Sequence, residues 1–204
     1  MQNKVNYSLL LEGKLKELEA SGQKPRLLLH VCCAPCSSYV LEYLHDRFDI
    51  TLYFYNPNIA PEEEYDFRFE EVTRLCEECG YGDIKIIREH YEPDEFTEMA
   101  KGLEGEPEGG ARCYKCYRLR LRKAASAAKE GGFDYFTTTL SISPHKNAEW
   151  LNRIGAECGE AAGVPYLLSD FKKKGGYQRS IVLSREHNLY RQDYCGCIYS
   201  KNNR

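Results

Sequence analysis

RLLLHVCCAPCSSYVLEYLHDRF, residues 26–48, joins a short apolar run, three cysteines set around Ala-Pro, and an amphipathic segment. The run RLLLHV follows Pro25 and shows no polar alternation, which reads as a strand covered on both faces. SSYVLEYLHDRF reads as a helix with Ser37 or Ser38 at its N-cap. The cysteines then lie in a loop at the carboxyl end of a buried strand.

The same alternation continues outward. DITLYFY (49–55) is a second strand that ends in NPN at 56–58, and Pro61 opens a long helix running to about Gly80. IKII (84–87) is a third strand, DEFTEMAKGL a short helix, and GLEGEPEGGA (102–111) an acidic loop. Arg112 to Glu130 form a helix closed by Gly131 and Gly132. FDYFTTTL (133–140) is a fourth strand, NAEWLNRIGAECGEAA a helix, VPYLLSD (164–170) a fifth strand, and YQRSIVLSREHNL a last helix. Before all of these, residues 7–20 form an amphipathic helix with Leu9, Leu10, Leu15 and Leu18 on one side. Strands alternating with helices predict an α/β, Rossmann-like and mostly parallel sheet flanked by helices, with its working site beyond the carboxyl ends of the strands. Residues 1–24 are taken as an N-terminal helical extension, and 25–204 as a single α/β catalytic domain.

Composition narrows the function. With 204 residues, 42% hydrophobic and 12% aromatic, the chain can bury a core, which excludes disorder. No run approaches 18 apolar residues, and the opening MQNKVNYSLLLEGKLKELEA mixes charge with leucine, so neither a membrane span nor a secretory signal is expected. The expected compartment is the cytoplasm. Ten cysteines are many for a chain in a reducing compartment, where clustered thiols bind metal or do redox chemistry. The net charge of −3 hides a division. Residues 61–111 carry 17 acids against 5 bases, 112–123 six bases and no acid, and the tail from Phe171 eight bases against two acids. The basic parts are candidates for an anionic partner, or simply a solvated face.

The cysteines fall into four groups: Cys32-Cys33-x2-Cys36, Cys76-x2-Cys79, Cys113-x2-Cys116 and Cys195-x-Cys197. Cys158 reads as a core thiol. Cys113 and Cys116 project from one helical face among Arg112, Lys115, Arg118, Arg120 and Arg122, whose charge favours thiolates. Cys76 and Cys79 share that spacing but enclose two glutamates, which suits packing at a helix end. A pair from 32/33 plus 113/116 supplies four thiolates, enough for a tetrahedral zinc or an iron–sulfur cluster. Gly196 allows the backbone angles that a bridge between Cys195 and Cys197 needs, and a strained bridge suits two-electron redox. No phosphate-binding glycine loop is present.

HVCCAPC (30–36), FYNPNI (54–59), RCYKCYRLRL (112–121), TTTLSISPHKN (137–147) and YRQDYCGCIYS (190–200) together resemble the QueH family of epoxyqueuosine reductases, in family order from about residue 26 to 200. The resemblance implies a fold like the adenine nucleotide alpha-hydrolase class with cysteines in place of its phosphate loop. It implies reduction of epoxyqueuosine to queuosine at the wobble position of tRNA anticodons, without cobalamin, using electrons from an unidentified donor. Cys32, Cys33, Cys113 and Cys116 then look like the ligands of a [4Fe–4S] cluster. Cys195 and Cys197 look like the redox pair, either bridged or serving an adjacent iron. Cys36 stands where some family members carry aspartate, and either side chain binds iron, so an additional mononuclear iron stays open.

Asn56, Asn58, Thr138 and His145 are candidates for base recognition by loop position, and Tyr114, Tyr117, Tyr190 and Tyr194 for stacking. Two other readings compete: a zinc-stabilised nucleic-acid-binding module, and a metal-free thiol–disulfide oxidoreductase. Both leave the adjacent Cys32-Cys33 pair without a task.

Overall fold

The computed structural model describes residues 5–202. Four strands, β1 (Arg26–Val31), β2 (Asp49–Phe54), β3 (Lys85–Arg88) and β4 (Tyr135–Thr138), form one parallel sheet in the order β3-β2-β1-β4. β1 is hydrogen-bonded on both edges, with Leu29 opposite Leu52 on one side and Thr137 on the other.

Both faces of β1 are covered, which is why its residues do not alternate. Leu27, Leu29 and Val31 enter the core cluster shared with α1 (Tyr7–Ser21), α2 (Ala34–Leu44) and α3 (Glu62–Glu78). Leu28 enters the opposite cluster, with α5 (Ala111–Glu130) and α6 (Ala148–Ala162). Each such leucine contributes roughly 1.5–3 kcal/mol by leaving water. The shorter helices α4 (Pro93–Ala100), α7 (Gly176–Glu186) and α8 (Ile198–Asn202) complete the layers, α7 packing on α2 and α4 on α5. Among the described residues no helix is long and apolar enough to cross a membrane.

Three local expectations are corrected. The fifth segment is not a strand but a single bridge, in which the Phe136 N–H donates to the Pro165 carbonyl (3.1 Å) and the Leu167 N–H to the Phe136 carbonyl (2.8 Å). β4 stops at Thr138 and turns into the 3-10 helix Thr139–Ile142, while the Thr137 hydroxyl caps the Leu167 carbonyl, so no ladder remains to extend. In α1 the buried leucines are Leu11, Leu15 and Leu18, spaced to share one face, whereas Leu9 and Leu10 are exposed.

The third correction bears on the site. α2 begins at Ala34, with Cys33 as its N-cap in extended conformation. Ser37 and Ser38 lie inside the helix, their hydroxyls donating back to the Cys33 and Pro35 carbonyls (2.9 and 3.1 Å). Pro35 sits in the first turn, where its missing N–H is no loss. Cys33 and Cys36 therefore occupy the cap and the third helical position, a relation the backbone holds rigid.

Helix α6 approaches the bridge segment so closely that a Cβ on Gly159 would lie 2.5 Å from the Val164 carbonyl oxygen. Gly159→Ala is expected to destabilise the fold by about 1–3 kcal/mol through overpacking. Denaturant unfolding of the variant beside its parent checks this.

Candidate metal centre and cavity

The sheet order reverses between β1 and β4, and the chain leaves both strands there in opposite directions, opening a crevice at their carboxyl ends. A cavity of about 450 Å³ lies in it, lined by Cys32, Cys33, Cys36 and Cys195 together with Arg68, Glu108, Arg120, His145, Lys146 and Tyr194. Leu140, Ile142 and Pro144, in the stretch after β4, supply apolar wall.

The Sγ atoms of Cys32, Cys33 and Cys36 all lie within 4.8 Å of one another. The thiols of Cys32 and Cys36 share hydrogens with Cys33 and, with the Arg68 charge nearby, hold it well below the usual thiol range. The same sharing pushes Cys36 well up, since a second charge in one small space is opposed. Three converging sulfurs suit a soft metal ion.

The remaining cysteines of interest reach the same region from two directions. Cys113 and Cys116 lie in the first turns of α5, both buried, and the Gly109 N–H donates to the Cys113 Sγ (3.3 Å). Cys116 packs with Cys197 against Phe96 and Ala100. Cys195 Sγ accepts from the Lys146 Nζ at 2.9 Å, and Lys146 pairs with Glu108 at 3.5 Å. Burial opposes the Lys146 charge, yet Cys195, Tyr117 and Glu108 together raise its ammonium well above the ordinary range. All ten cysteines are free thiols, so the Cys195–Cys197 bridge is not formed.

Gly196, at φ 105°, does something that its place between two cysteines conceals. A Cβ there would lie 2.9 Å from the Arg68 Nη1, so glycine lets the tail cross directly over a buried guanidinium. The crossing is pinned by the Ala60 N–H to the Gly196 carbonyl (3.0 Å) and by Arg68 Nη1 to the Cys195 carbonyl (3.2 Å). Arg68 also pairs with Glu64 at 2.7 Å and lies under the Tyr194 ring.

The basic run of α5 divides in two. Lys115, Arg118, Arg122 and Lys123 are exposed, but Arg112 and Arg120 are 1% exposed. Arg112 does not charge the thiols: its Nη1 donates to the carbonyls of Leu103, Glu104 and Glu106 and orders the acidic loop. Burial raises the Cys113 thiol and pushes Cys116 up to about 12, partly offset by Lys146 and Arg120 respectively. The charges that matter at these sulfurs are thus chosen by the fold rather than by sequence proximity.

Several candidates lie outside the cavity. Asn56, Asn58 and Thr138 are buried: Asn56 Nδ2 donates to the Val31 carbonyl (3.0 Å), the Thr138 hydroxyl bonds both His30 Nδ1 and the Leu140 N–H, and Asn58 Oδ1 has no partner. Burial and the Arg120 charge push His30 down to about 3, so it is a neutral core imidazole. Of the tyrosines, Tyr194 lines the cavity, Tyr117 is buried in the core, and Tyr114 packs on Trp150. His145 is exposed at the rim. Cys158 is core, Cys76 is buried and pushed up to about 12, and Cys79 faces His187 at 3.5 Å. Sequence reasoning missed Arg68, Glu108 and Lys146; Lys146 alone carried a signal, as the neighbour of His145 in SPHKN.

The cavity residues fit a thiolate-bound metal group. Arg68 Nη2 and Arg120 Nε are buried donors without an acceptor, and both guanidinium groups face cysteine sulfur. Anionic sulfur is the acceptor such donors lack.

A family-wide sequence profile described as "Epoxyqueuosine reductase QueH" matches residues 27–203. This chain belongs to the QueH family. The epoxyqueuosine reductase QueH of Streptococcus pyogenes is 44% identical to it over 200 residues, 97% of this chain and 78% of that one. QueH of Staphylococcus epidermidis is 44% identical over 202 residues, covering 97% and 85%. QueH of Thermotoga maritima is 36% identical over 177 residues, covering 85% and 89%. The five QueH-like segments lie within the matched range; of the cysteines they carry, Cys32, Cys33, Cys36 and Cys195 line the cavity, whereas Cys113, Cys116 and Cys197 are packed in the core and do not line it.

Cadmium titrated into metal-free protein is expected to give sulfur-to-metal absorption that Cys33→Ser and Cys36→Ser each weaken. Because the Cys36 thiol is raised, the metal displaces its proton at neutral pH, so affinity should climb from pH 7 to 9, by about tenfold per pH unit for each proton displaced.

Proposed function

We propose that this protein reduces epoxyqueuosine to queuosine at the wobble position of tRNA anticodons, the last step of queuosine formation, in the cytoplasm and without cobalamin. The observation that carries this reading is the convergence of Cys32, Cys33, Cys36 and Cys195 on the crevice of a QueH-family fold, with the Cys113 and Cys116 pair of α5 buried close to the tail cysteines. Catalysis is assigned to the α/β domain of residues 25–204. Cys32, Cys33, Cys113 and Cys116 are assigned to hold a [4Fe–4S] cluster, and Cys36 an additional mononuclear iron. Cys195 and Cys197 are assigned as the redox pair.

Converting an epoxide to an alkene takes two electrons and two protons and releases water. One dithiol yields that amount when it closes to a disulfide: two S–H bonds are lost and one S–S bond forms. A bound cluster supplies single-electron transfer and a Lewis-acidic iron. Lys146 holds a proton 2.9 Å from the Cys195 sulfur, and Glu108, partly exposed beside it, connects that ammonium to solvent. Leu140, Ile142 and Pro144 exclude water from the facing wall. An external donor, unidentified, then restores the dithiol.

The exposed bases of α5, Lys115, Arg118, Arg122 and Lys123, with Lys173, Lys174 and Arg191 of the tail half, suit the phosphates of tRNA. Binding of tRNA is expected to weaken steeply between about 50 and 200 mM salt. A salt-independent affinity measured by filter binding would remove this surface from the docking site.

Anaerobic purification with iron, sulfide and zinc analysis tests the cofactor, and turnover of epoxyqueuosine-bearing tRNA with a chemical reductant tests the activity. About four sulfides are expected, with about four irons from the cluster and one more from the site at Cys36; zinc without sulfide promotes the binding-module reading. Cys195→Ser and Cys197→Ser should each lower turnover by about a hundredfold or more, the scale of losing a group needed in the transition state. Full turnover by the double variant would show that the dithiol is not essential.

A further inference from the structure

Three arginines are buried near the cysteines, and each keeps at least one guanidinium nitrogen without an acceptor. Arg112 is held by three backbone carbonyls and the Tyr199 ring, and Arg68 by Glu64. Arg120 has neither a carboxylate nor a set of carbonyls among the described residues. It is 1% exposed, its Nη2 donates to the neutral amide oxygen of Asn56, and its Nε has no acceptor. Among the described residues no carboxylate pairs with it. The charges it meets are the sulfurs of Cys116, Cys32 and Cys195, one from each of the three groups. Guanidinium does not give up its proton inside a protein, so burying one is costly unless negative charge meets it, and for Arg120 sulfur supplies that charge.

We infer that Arg120 is the counter-charge of the metal centre, shared by the three cysteine groups, and that it sets the potential at which the centre accepts electrons. The inference rests on the iron–sulfur reading above. A positive charge that no carboxylate cancels favours every added electron, so removing it should make reduction harder. Asn56 belongs to the same device. Its Nδ2 is committed to the Val31 carbonyl, which turns its oxygen toward Arg120, and an amide oxygen orients the guanidinium without neutralising it. Arg120 and Asn56 are therefore positioning residues for the centre.

The test is a spectroelectrochemical titration of anaerobically purified protein, with iron and sulfide counted in each sample. Arg120→Gln is expected to lower the midpoint potential, and Arg120→Lys to stay near the parent. Asn56→Asp leaves the guanidinium in place but cancels its charge, so it should lower the midpoint even if Arg120→Gln fails to fold. Asn56→Ala, which forfeits both the Val31 bond and the Arg120 acceptor without adding charge, should shift the midpoint less than Asn56→Asp. Folded Arg120→Gln and Asn56→Asp that lose iron while Arg120→Lys keeps it also support the counter-charge. Loaded Arg120→Gln or Asn56→Asp with the parent's midpoint overturns it, as does Arg120→Lys shifting or losing iron as far as Arg120→Gln. A parent without iron and sulfide sinks the underlying reading and this inference with it. A loaded parent whose variants titrate alike sinks this inference alone.

Discussion

Two guanidinium groups, those of Arg68 and Arg120, are buried beside one cavity lined by cysteine sulfur. Stripped of water, each demands negative charge, and much of the architecture exists to supply it. Glu64 answers Arg68 from one turn earlier on α3. Arg68 in turn fastens the tail by the Cys195 carbonyl, and Gly196 is the residue that can pass over it. The tail so held delivers Cys195 to Lys146 and Cys197 to Cys116. Remove Arg68 and the tail loses its fastening at the Cys195 carbonyl.

Parallel pairing does the coarser positioning. With β1 central and β2 and β4 beside it in the same direction, three strand ends open on one edge, and no strand has to return through the site. The start of α2 then sets Cys33 and Cys36 one turn apart on a stiff backbone, while α5 brings the 113/116 pair from the other face. The acidic loop before α5 is not loose filler. Arg112 gathers its carbonyls, its Gly109 N–H reaches Cys113, and its Glu108 meets Lys146.

Much of this was legible in the chain. The doubly covered first strand, the parallel alternation and the cysteine groups followed from apolar runs and spacing, because those depend on neighbours in sequence. The fifth strand was misread because an apolar run does not reveal whether its partner strand has already turned away, as β4 does at Thr138. Arg112 and Arg120 were read alike as charges beside the thiols, and only Arg120 meets sulfur, because the apolar stripe of α5 says nothing about which long polar side chains are drawn inward to carbonyls and which to sulfur. Asn56, Asn58 and Thr138, placed at strand ends, looked like substrate contacts and are buried outside the cavity; Asn56 is taken up by the Val31 carbonyl and the Arg120 guanidinium, and Thr138 by His30 and the Leu140 N–H.

By itself, the sequence determined the layer order of the fold, the number and spacing of the thiols, and the family, since each is written in local periodicity and motif. Only the tertiary structure decided which charge faces which sulfur. Lys146 lies 49 residues from Cys195, and Arg68 lies 127 residues from it, so their contacts arise when crossovers bring distant strand ends together. The strength of those contacts comes from burial, which separates a guanidinium that controls a sulfur from one that merely follows it in the chain.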